Sequence, residues 1–179
     1  MKIWIVGTPG SGKSSFAGEI CFSNNFMHIE LDGLVWGSGW RRRSPDEILH
    51  LYNMLTSKSE NWVCDGNYYE LEESLINDSD LLIWIKTPLY KTFYRVLFRS
   101  LMRIVKKKSL WNGNVESFRT LFKYNGMLWY TLFGHRSIVK QIERIYQTFP
   151  KTKFVIKGIY PMDFKLHRDG KGASPWEHR

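Results

Sequence analysis

A glycine-rich segment close to the N-terminus has the residues and spacing of a phosphate-binding loop. It matches the pattern G-x-x-x-x-G-K-[ST] in full and lies between a strand-like apolar run and a helix-like segment. Glycines let the backbone curl so that successive N–H groups point at phosphate oxygens, and a helix N-terminus adds positive charge there. Lys13 can then reach the β- and γ-phosphates of ATP, and Ser14 can hold Mg²⁺. We predict that ATP binds to Gly7, Thr8, Pro9, Gly10, Ser11, Gly12, Lys13, Ser14 and Ser15.

Two aspartates are expected near this loop. Asp32 follows the second predicted strand, and Asp65 ends the third. Ligands bind where the carboxyl ends of parallel strands gather, so both carboxylates should face the phosphate-binding loop. One could orient Mg²⁺ and the other could accept the proton of an attacking hydroxyl, although aspartate also caps turns well. We predict Asp65 as a catalytic and metal-binding residue, together with Lys13 and Ser14, and Asp32 as a substrate-binding residue.

Aromatic side chains stand beside arginines in a glycine-rich loop after the second predicted strand. Trp36 and Trp40 precede the basic run at 41–43. Aromatics with arginines could sandwich a base or another flat group; the alternative is a small satellite core under a long loop. A later loop offers Asn67 and Tyr68 as hydrogen-bonding groups. We predict that Trp36, Trp40, Asn67 and Tyr68 bind the substrate.

Three arginines are spaced by four residues in a predicted helix. Arg95, Arg99 and Arg103 therefore share one helix face. Kinases bring arginines to the equatorial oxygens of the transferring phosphoryl group from a closing lid, whereas a solvated helix face would show the same spacing. We predict Arg95 and Arg99 as catalytic residues and expect less of Arg103.

The segment after these arginines has the composition of a mobile lid. A basic turn at 106–108 is followed by Trp111-Asn112-Gly113-Asn114. Glycine and asparagine allow the hinge-like backbone that closure requires, and we predict a lid over about 95–118. His135 and Arg136 could reach the site from a later helix, but a lone histidine is more often structural, and we do not predict them as catalytic.

Short apolar runs alternate with longer helical patterns, which favours a parallel sheet flanked by helices. Helix starts are predicted at Ser44-Pro45-Asp46-Glu47 and at Thr87-Pro88, the second helix running to about Lys107. A further helical stretch over about 115–149 should break near Gly126 or Gly134. The fold class is therefore α/β, with strands predicted over 2–6, 27–31, 62–65, 81–85 and 153–157.

Composition and charge narrow the class of protein. The 179 residues suit one domain, and the longest apolar runs have strand length rather than the roughly 20 residues that span a bilayer. The N-terminus has no signal-peptide pattern, and the two cysteines, Cys21 and Cys64, lie in apolar sequence, so we expect a cytoplasmic protein with free buried thiols. The net charge of +9 suits a protein that binds nucleotide phosphates and equally one that binds nucleic acid.

Several segments together resemble a bacterial group of small P-loop proteins labelled adenylate-kinase-like or DNA-topology-modulation-related. The resemblance covers about residues 1–145, and it implies the nucleoside-monophosphate-kinase fold with a five-stranded parallel sheet and a helical lid. A P-loop kinase-like domain is then expected over 1–157 and an irregular tail over 158–179. The segments that carry the resemblance are 28–36, Gly39-Trp40, 62–68, 80–88, 95–99, 110–114 and 116–117.

These observations predict an enzyme that uses ATP and Mg²⁺ to phosphorylate a small molecule. Nucleoside monophosphates, nucleosides and non-nucleotide alcohols all stay open as acceptors, as does the oligomeric state. The alternative is a nucleotide-dependent regulatory or nucleic-acid-associated P-loop ATPase, which the basic charge supports. The sequence has no helix-turn-helix pattern and no zinc-ligand spacing, and Lys153–Gly158 lacks the Asn-Lys-x-Asp motif of a GTPase.

Overall fold

The structure is a computed structural model that describes residues 1–124 and 126–157. Within these residues five strands form one sheet in the order β2-β3-β1-β4-β5, and every neighbouring pair is parallel. This confirms the predicted α/β class and its five-stranded parallel sheet. The predicted tail, 158–179, lies outside the described residues. The strands are β1 (Lys2–Gly7), β2 (Met27–Glu30), β3 (Trp62–Asp65), β4 (Leu81–Lys86) and β5 (Thr152–Lys157).

The helices begin and end close to the predicted signals. Ser44 accepts a hydrogen bond from the Glu47 backbone N–H at 3.3 Å while the Glu47 carboxylate accepts one from the Ser44 N–H at 2.8 Å, which is the expected capping box. The helical stretch near the C-terminus is broken at both Gly126 and Gly134. The helices are α1 (Lys13–Asn24), α2 (Leu31–Val35), α3 (Pro45–Thr56), α4 (Glu72–Asp78), α5 (Leu89–Val105), α6 (Phe118–Phe122), α7 (Met127–Phe133) and α8 (His135–Thr148).

Helices cover both faces of the sheet, which is why its strands are apolar throughout rather than alternating. Trp4 of β1 packs on one face with Tyr52 of α3, Leu75 of α4 and Ile142 of α8. The other face packs against α1 through residues such as Phe16. The sheet is thereby buried on both sides, and its carboxyl edge is the part left for ligands.

Helices α5, α6 and α7 form a smaller layer after β4. Their own core consists of Val96, Leu121 and Leu128. Helix α5 ends at Val105, two residues before the predicted limit. No helix in the described ranges is long and apolar enough to cross a bilayer.

Candidate active site

The phosphate-binding loop connects β1 to α1, which begins at Lys13. Gly10 has φ 77° and Gly12 has φ 100°, a backbone region that glycine adopts without steric cost. A Cβ on Gly10 would lie 2.6 Å from the Thr92 carbonyl oxygen, so α5 packs directly against the loop. The loop is closed by a hydrogen bond from the Ser11 N–H to the Thr8 carbonyl at 3.0 Å. The curled shape predicted for a phosphate cradle is therefore present.

Polar groups of the loop are buried without internal partners. Thr8 and Ser11 are 2% and 1% exposed, and neither hydroxyl oxygen has a hydrogen-bond partner among the described residues. Buried hydroxyls are normally paired, so such groups indicate a place where a ligand completes the hydrogen bonding. Lys13 and Ser14 are half-buried at the start of α1, while Ser15 is exposed.

Asp65 lies at the centre of the candidate site. Its carboxylate accepts hydrogen bonds from the Ser14 hydroxyl at 2.5 Å through Oδ2 and contacts His28 Nε2 at 2.8 Å through Oδ1. Asp65 is only 4% exposed. Burial disfavours the charged imidazole, but the hydrogen bond and charge of Asp65 outweigh it and raise the pKa of His28.

The Ser14–Asp65 pair fits a magnesium site. Mg²⁺ prefers hard oxygen ligands, and it commonly takes few protein ligands because phosphate oxygens and water supply the others. A loop serine and a strand-end aspartate are such a pair in P-loop proteins. His28 was missed from the sequence; it lies on the strand next to β3, where the register pairs Glu30 with Asp65. Only the sheet order could have shown that it reaches Asp65.

A second group of side chains lies beyond Asp65, and we call it the acceptor pocket: Asp32, Trp36, Arg42, Tyr68 and Glu70. The Tyr68 hydroxyl donates a hydrogen bond to the Asp32 carboxylate. Burial and the charge of Asp32 raise the pKa of Tyr68, so the phenol remains protonated and donates. The structure therefore brings together three of the predicted substrate-binding residues, Asp32, Trp36 and Tyr68.

Arg42 and Glu70 belong to this pocket although the sequence did not single them out. The guanidinium carbon of Arg42 lies 5.8 Å from the ring centroids of both Trp36 and Tyr68. Its Nη2 is 2.5 Å from Glu70 Oε1. The basic run at 41–43 beside two tryptophans was a signal for a stacked arginine, but nothing in the sequence pointed to Glu70.

The two other predicted substrate-binding residues lie elsewhere. Asn67 Oδ1 accepts a 3.3 Å hydrogen bond from the Gly7 N–H, so its side chain contacts the phosphate-binding loop. Trp40 directs its backbone N–H to Asn114 and its indole N–H to the Val115 carbonyl. Substrate contact by these two residues stays a prediction.

The arginines of α5 have three different surroundings. Arg95 Nη1 lies 3.5 and 3.3 Å from the carbonyl oxygens of Gly10 and Ser11. Arg103 forms a 2.9 Å ion pair with Glu116. Arg99 lies between them with an exposed side and makes no hydrogen bond or ion pair within the described residues.

Electrostatic effects place Arg99 beside the acceptor pocket. Loss of hydration and the like charge of Arg103 lower the pKa of Arg99, while Glu116 and Asp32 oppose this shift. Asp32 is thus close enough to influence Arg99, which belongs to the other side of the site. An unpaired guanidinium here suits the binding of phosphate oxygens.

Part of the predicted lid lies across the loop that follows Asp32. We call residues 111–115 the strap. Trp111 donates to Glu30 Oε2 at 2.6 Å, and Asn112 Nδ2 donates to the carbonyls of Gly33 and Trp36 at 3.1 and 2.5 Å. Asn114 Nδ2 donates to the Gly37 carbonyl at 2.8 Å. The segment predicted to move is fastened to the acceptor side of the site.

We expect Asn114→Ala to loosen this strap. Asn114 is 2% exposed, and its loss removes the acceptor for the Trp40 N–H, 2.7 Å away, and the donor to Gly37. Leaving buried polar groups unpaired costs about 1–3 kcal/mol. The melting temperature should fall and amide hydrogen exchange in residues 33–40 should accelerate. Asn112→Ala, at an exposed position, is the matched control and should change both much less; equal effects would contradict the special weight of Asn114.

An open cavity of about 740 Å³ lies on the opposite side of the phosphate-binding loop. Its wall includes Lys86 and Thr87 at the end of β4, with His135 and Arg136 at the start of α8. The Thr87 hydroxyl donates to the Ser11 carbonyl at 3.3 Å, which connects the cavity to the loop. Burial lowers the pKa of His135.

No protein-family model and no curated protein matches this sequence. Solved structures do match it. TT1252 from Thermus thermophilus is 16% identical, with a TM-score of 0.52 over 89% of both chains. Shikimate kinase from Acinetobacter baumannii, solved in complex with shikimate, is 14% identical, with a TM-score of 0.56 over 90% of this chain and 85% of that one. At these identities the likeness concerns the fold alone: the chain has the α/β P-loop fold that these structures share.

Proposed function

We propose that the protein is an ATP- and Mg²⁺-dependent phosphotransferase that moves the γ-phosphoryl group to a small hydroxyl-bearing acceptor. The observation that carries this proposal is the Ser14–Asp65 pair, which lies at the end of the phosphate-binding loop. The acceptor pocket begins on the other side of it at Asp32. A nucleotide site and an acceptor site then share one edge of the sheet, as phosphoryl transfer between two bound molecules requires.

The chain's own groups account for nucleotide binding. The loop amides and Lys13 hold the phosphates, and Ser14 with Asp65 hold Mg²⁺, which neutralises charge on the phosphates when bound. The cavity beside Thr87 lies next to the loop and has room for the nucleoside part of ATP. Arg95 keeps the loop in shape through its carbonyl contacts, a role added to the catalytic one predicted for it.

The two aspartates divide the remaining work in this proposal. Asp65 is buried and both of its oxygens are engaged, which suits an orienting role at the metal. Asp32 is half-buried and receives a single donor, Tyr68, so its other oxygen can accept the proton of the attacking hydroxyl. Both roles were open for each residue in the sequence, and the different hydrogen bonding favours this assignment.

The direct test is ADP release by the purified protein against a panel of acceptors. Nucleosides, nucleoside monophosphates and non-nucleotide alcohols should be offered separately with Mg·ATP. We expect release that depends strongly on one acceptor class. Slow ATP hydrolysis that no acceptor stimulates would contradict the proposal.

We expect Arg99→Ala to lower kcat about 10²-fold while ATP affinity changes little. The reason is that ground-state phosphates remain held by Lys13 and the loop amides, whereas Arg99 acts where charge develops. Arg99→Lys should rescue poorly because it loses the planar fork that matches phosphate oxygens. Single-turnover kinetics and calorimetry measure the two quantities.

Arg103→Ala is the matched control, one helix turn away. Arg103 is already paired with Glu116, and both side chains are largely buried, at 17% and 13% exposure. Its loss should therefore lower the melting temperature more than the rate. If Arg99→Ala turns over like the parent, the arginine that stabilises the phosphoryl group lies elsewhere, and Arg136 is the next to test.

The nucleic-acid-associated alternative is supported by where the charge lies. Residues 89–142 hold eleven of the 26 Lys and Arg residues and one acidic residue, Glu116. Exposed aromatic side chains such as Tyr94 and Phe98 lie in the same segment. Basic residues with aromatics suit single-stranded nucleic acid. Binding of an oligonucleotide that weakens steeply with salt would favour this alternative, and salt-independent or absent binding would remove it.

A further inference from the structure

The cation of the acceptor pocket is already neutralised by the protein. Arg42 Nη2 lies 2.5 Å from Glu70 Oε1, and the Glu70 side chain is only 2% exposed. The other oxygen, Oε2, is buried and has no hydrogen-bond partner among the described residues. Withdrawing Arg42 toward a bound anion would leave a buried carboxylate uncompensated, which is strongly unfavourable. Arg42 therefore presents a stacked, charge-balanced group to the pocket.

The neighbouring arginines are engaged as well. Arg43 Nη1 donates to the backbone carbonyls of Gly33 and Leu34 at 2.9 and 2.7 Å. Arg41 lies 3.1 Å from Glu47, in an exposed pair on the first turn of α3. The first arrangement holds the acceptor loop in shape, and the second belongs to a helix start. Neither gives the pocket an uncompensated cation.

The remaining groups on the acceptor side carry negative charge or are aromatic. Asp32 holds a carboxylate whose one described hydrogen bond comes from Tyr68. Tyr130 of α7 is near enough to Asp32 and Arg42 for both charges to influence its pKa, which burial raises. The unpaired cations, Lys13 and Arg99, lie where the phosphates of ATP need them. A phosphate monoester, which brings about two further negative charges, would find no cation of its own.

We propose that the acceptor is an uncharged hydroxyl compound built on a ring, and that phosphate monoesters and carboxylates are poor acceptors. This inference rests on the proposed phosphotransferase function. The rings of Trp36 and Tyr68 suit a flat or apolar ring face, and Asp32 suits a hydroxyl. Nucleosides and cyclic polyols share this chemistry.

The transfer balances with the groups present. The acceptor hydroxyl oxygen forms a bond to the γ-phosphorus as the bond from that phosphorus to the β–γ bridging oxygen breaks. ADP leaves with the electron pair of the broken bond, and the hydroxyl proton passes to Asp32. An uncharged acceptor thus becomes a phosphate monoester, which the same pocket then holds weakly and releases.

The test measures acceptor binding directly, by calorimetry on protein loaded with Mg²⁺ and a non-hydrolysable ATP analogue. The probes are five nucleosides (adenosine, guanosine, cytidine, uridine and thymidine), their 5′-monophosphates, myo-inositol and shikimate. We expect at least one nucleoside or myo-inositol to bind, and a nucleoside to bind at least about tenfold more tightly than its monophosphate. Equal or tighter binding of a monophosphate or of shikimate would overturn the proposal. So would binding by no uncharged probe.

Glu70→Gln reverses the charge balance while keeping the side-chain shape. It leaves Arg42 as an uncompensated cation, so affinity for a monophosphate should rise about tenfold while nucleoside affinity stays nearly the same. Glu72→Gln is the matched control, because Glu72 is a carboxylate paired at 2.8 Å with Arg144, outside the pocket. An equal rise in both variants, or none in Glu70→Gln, would count against the proposal.

A double variant covers the case in which Glu70→Gln does not fold. Arg42→Gln with Glu70→Gln removes both charges at once and should keep the preference for uncharged acceptors. Loss of that preference would mean that Arg42 binds the acceptor. The two proposals fail separately: binding of uncharged probes without any ADP release overturns the phosphotransferase function alone, while ADP release only with monophosphates overturns the acceptor class alone.

Discussion

Replacing Lys13 by alanine should reduce phosphoryl transfer by about 10³-fold, at the upper end of what one charge-stabilising contact contributes. Lys13 begins α1 at the end of the curled loop, and it makes no ion pair within the described residues that would hold its charge away from a ligand. ATP affinity should drop markedly as well, since the ammonium meets phosphates in the ground state. Calorimetry and single-turnover kinetics measure the two losses.

The melting temperature without ligand is the control for Lys13→Ala. Lys13 is half-buried and contributes no capping hydrogen bond to α1, so the fold should keep its stability. Ser15→Ala, at the exposed neighbouring position, should bind ATP almost like the parent. Unchanged ATP affinity in Lys13→Ala would contradict the phosphate-binding role of the loop.

Asp32→Asn should lower kcat by about 10³-fold, because general-base catalysis typically contributes 10²–10⁴. Asparagine keeps the shape and can still accept the hydrogen bond from Tyr68, but it cannot take a proton. The pH dependence of kcat/KM should lose its acidic limb, and ATP affinity should be preserved. An unchanged rate and pH profile would assign Asp32 to binding alone.

Asp65→Asn separates the two aspartates. Asp65 contacts Ser14 and His28, so its loss should weaken the dependence on Mg²⁺ and reduce turnover by about 10². The distinguishing measurement is a magnesium titration at saturating ATP. Asp65→Asn should require more Mg²⁺ for half-maximal rate, whereas Asp32→Asn should not. The reverse result would exchange the two roles.

The fold could be predicted from the sequence because its signals are local. The five apolar runs gave the strands, and the capping pattern at Ser44 gave the start of α3. The order of the strands carried the next step, since parallel strands bring Ser14 and Asp65 to the same edge without any knowledge of side chains. Motif and topology together therefore located the nucleotide side of the site.

The acceptor side could not be predicted in the same way, because it depends on pairs that are distant in sequence. Arg42 and Glu70 are 28 residues apart, and His28 and Asp65 are 37 apart. Nothing local in the chain indicates which of the three arginines at 41–43 stacks between two rings and which holds the backbone. The lid was likewise placed correctly in the chain, but its attachment to Glu30 depends on a contact 81 residues away.

The strap gives the protein an optical signal of its own state. Trp36, Trp40 and Trp111 meet where the strap crosses the acceptor loop, and the first two rings lie 6.1 Å apart, edge to face. The indole N–H groups of Trp40 and Trp111 both hold hydrogen bonds across this contact. Opening the strap would transfer these rings to water and shift their fluorescence to longer wavelengths. Trp4 and Trp62, fully buried in the sheet, would keep their emission unchanged, so stopped-flow fluorescence can follow the opening without any label.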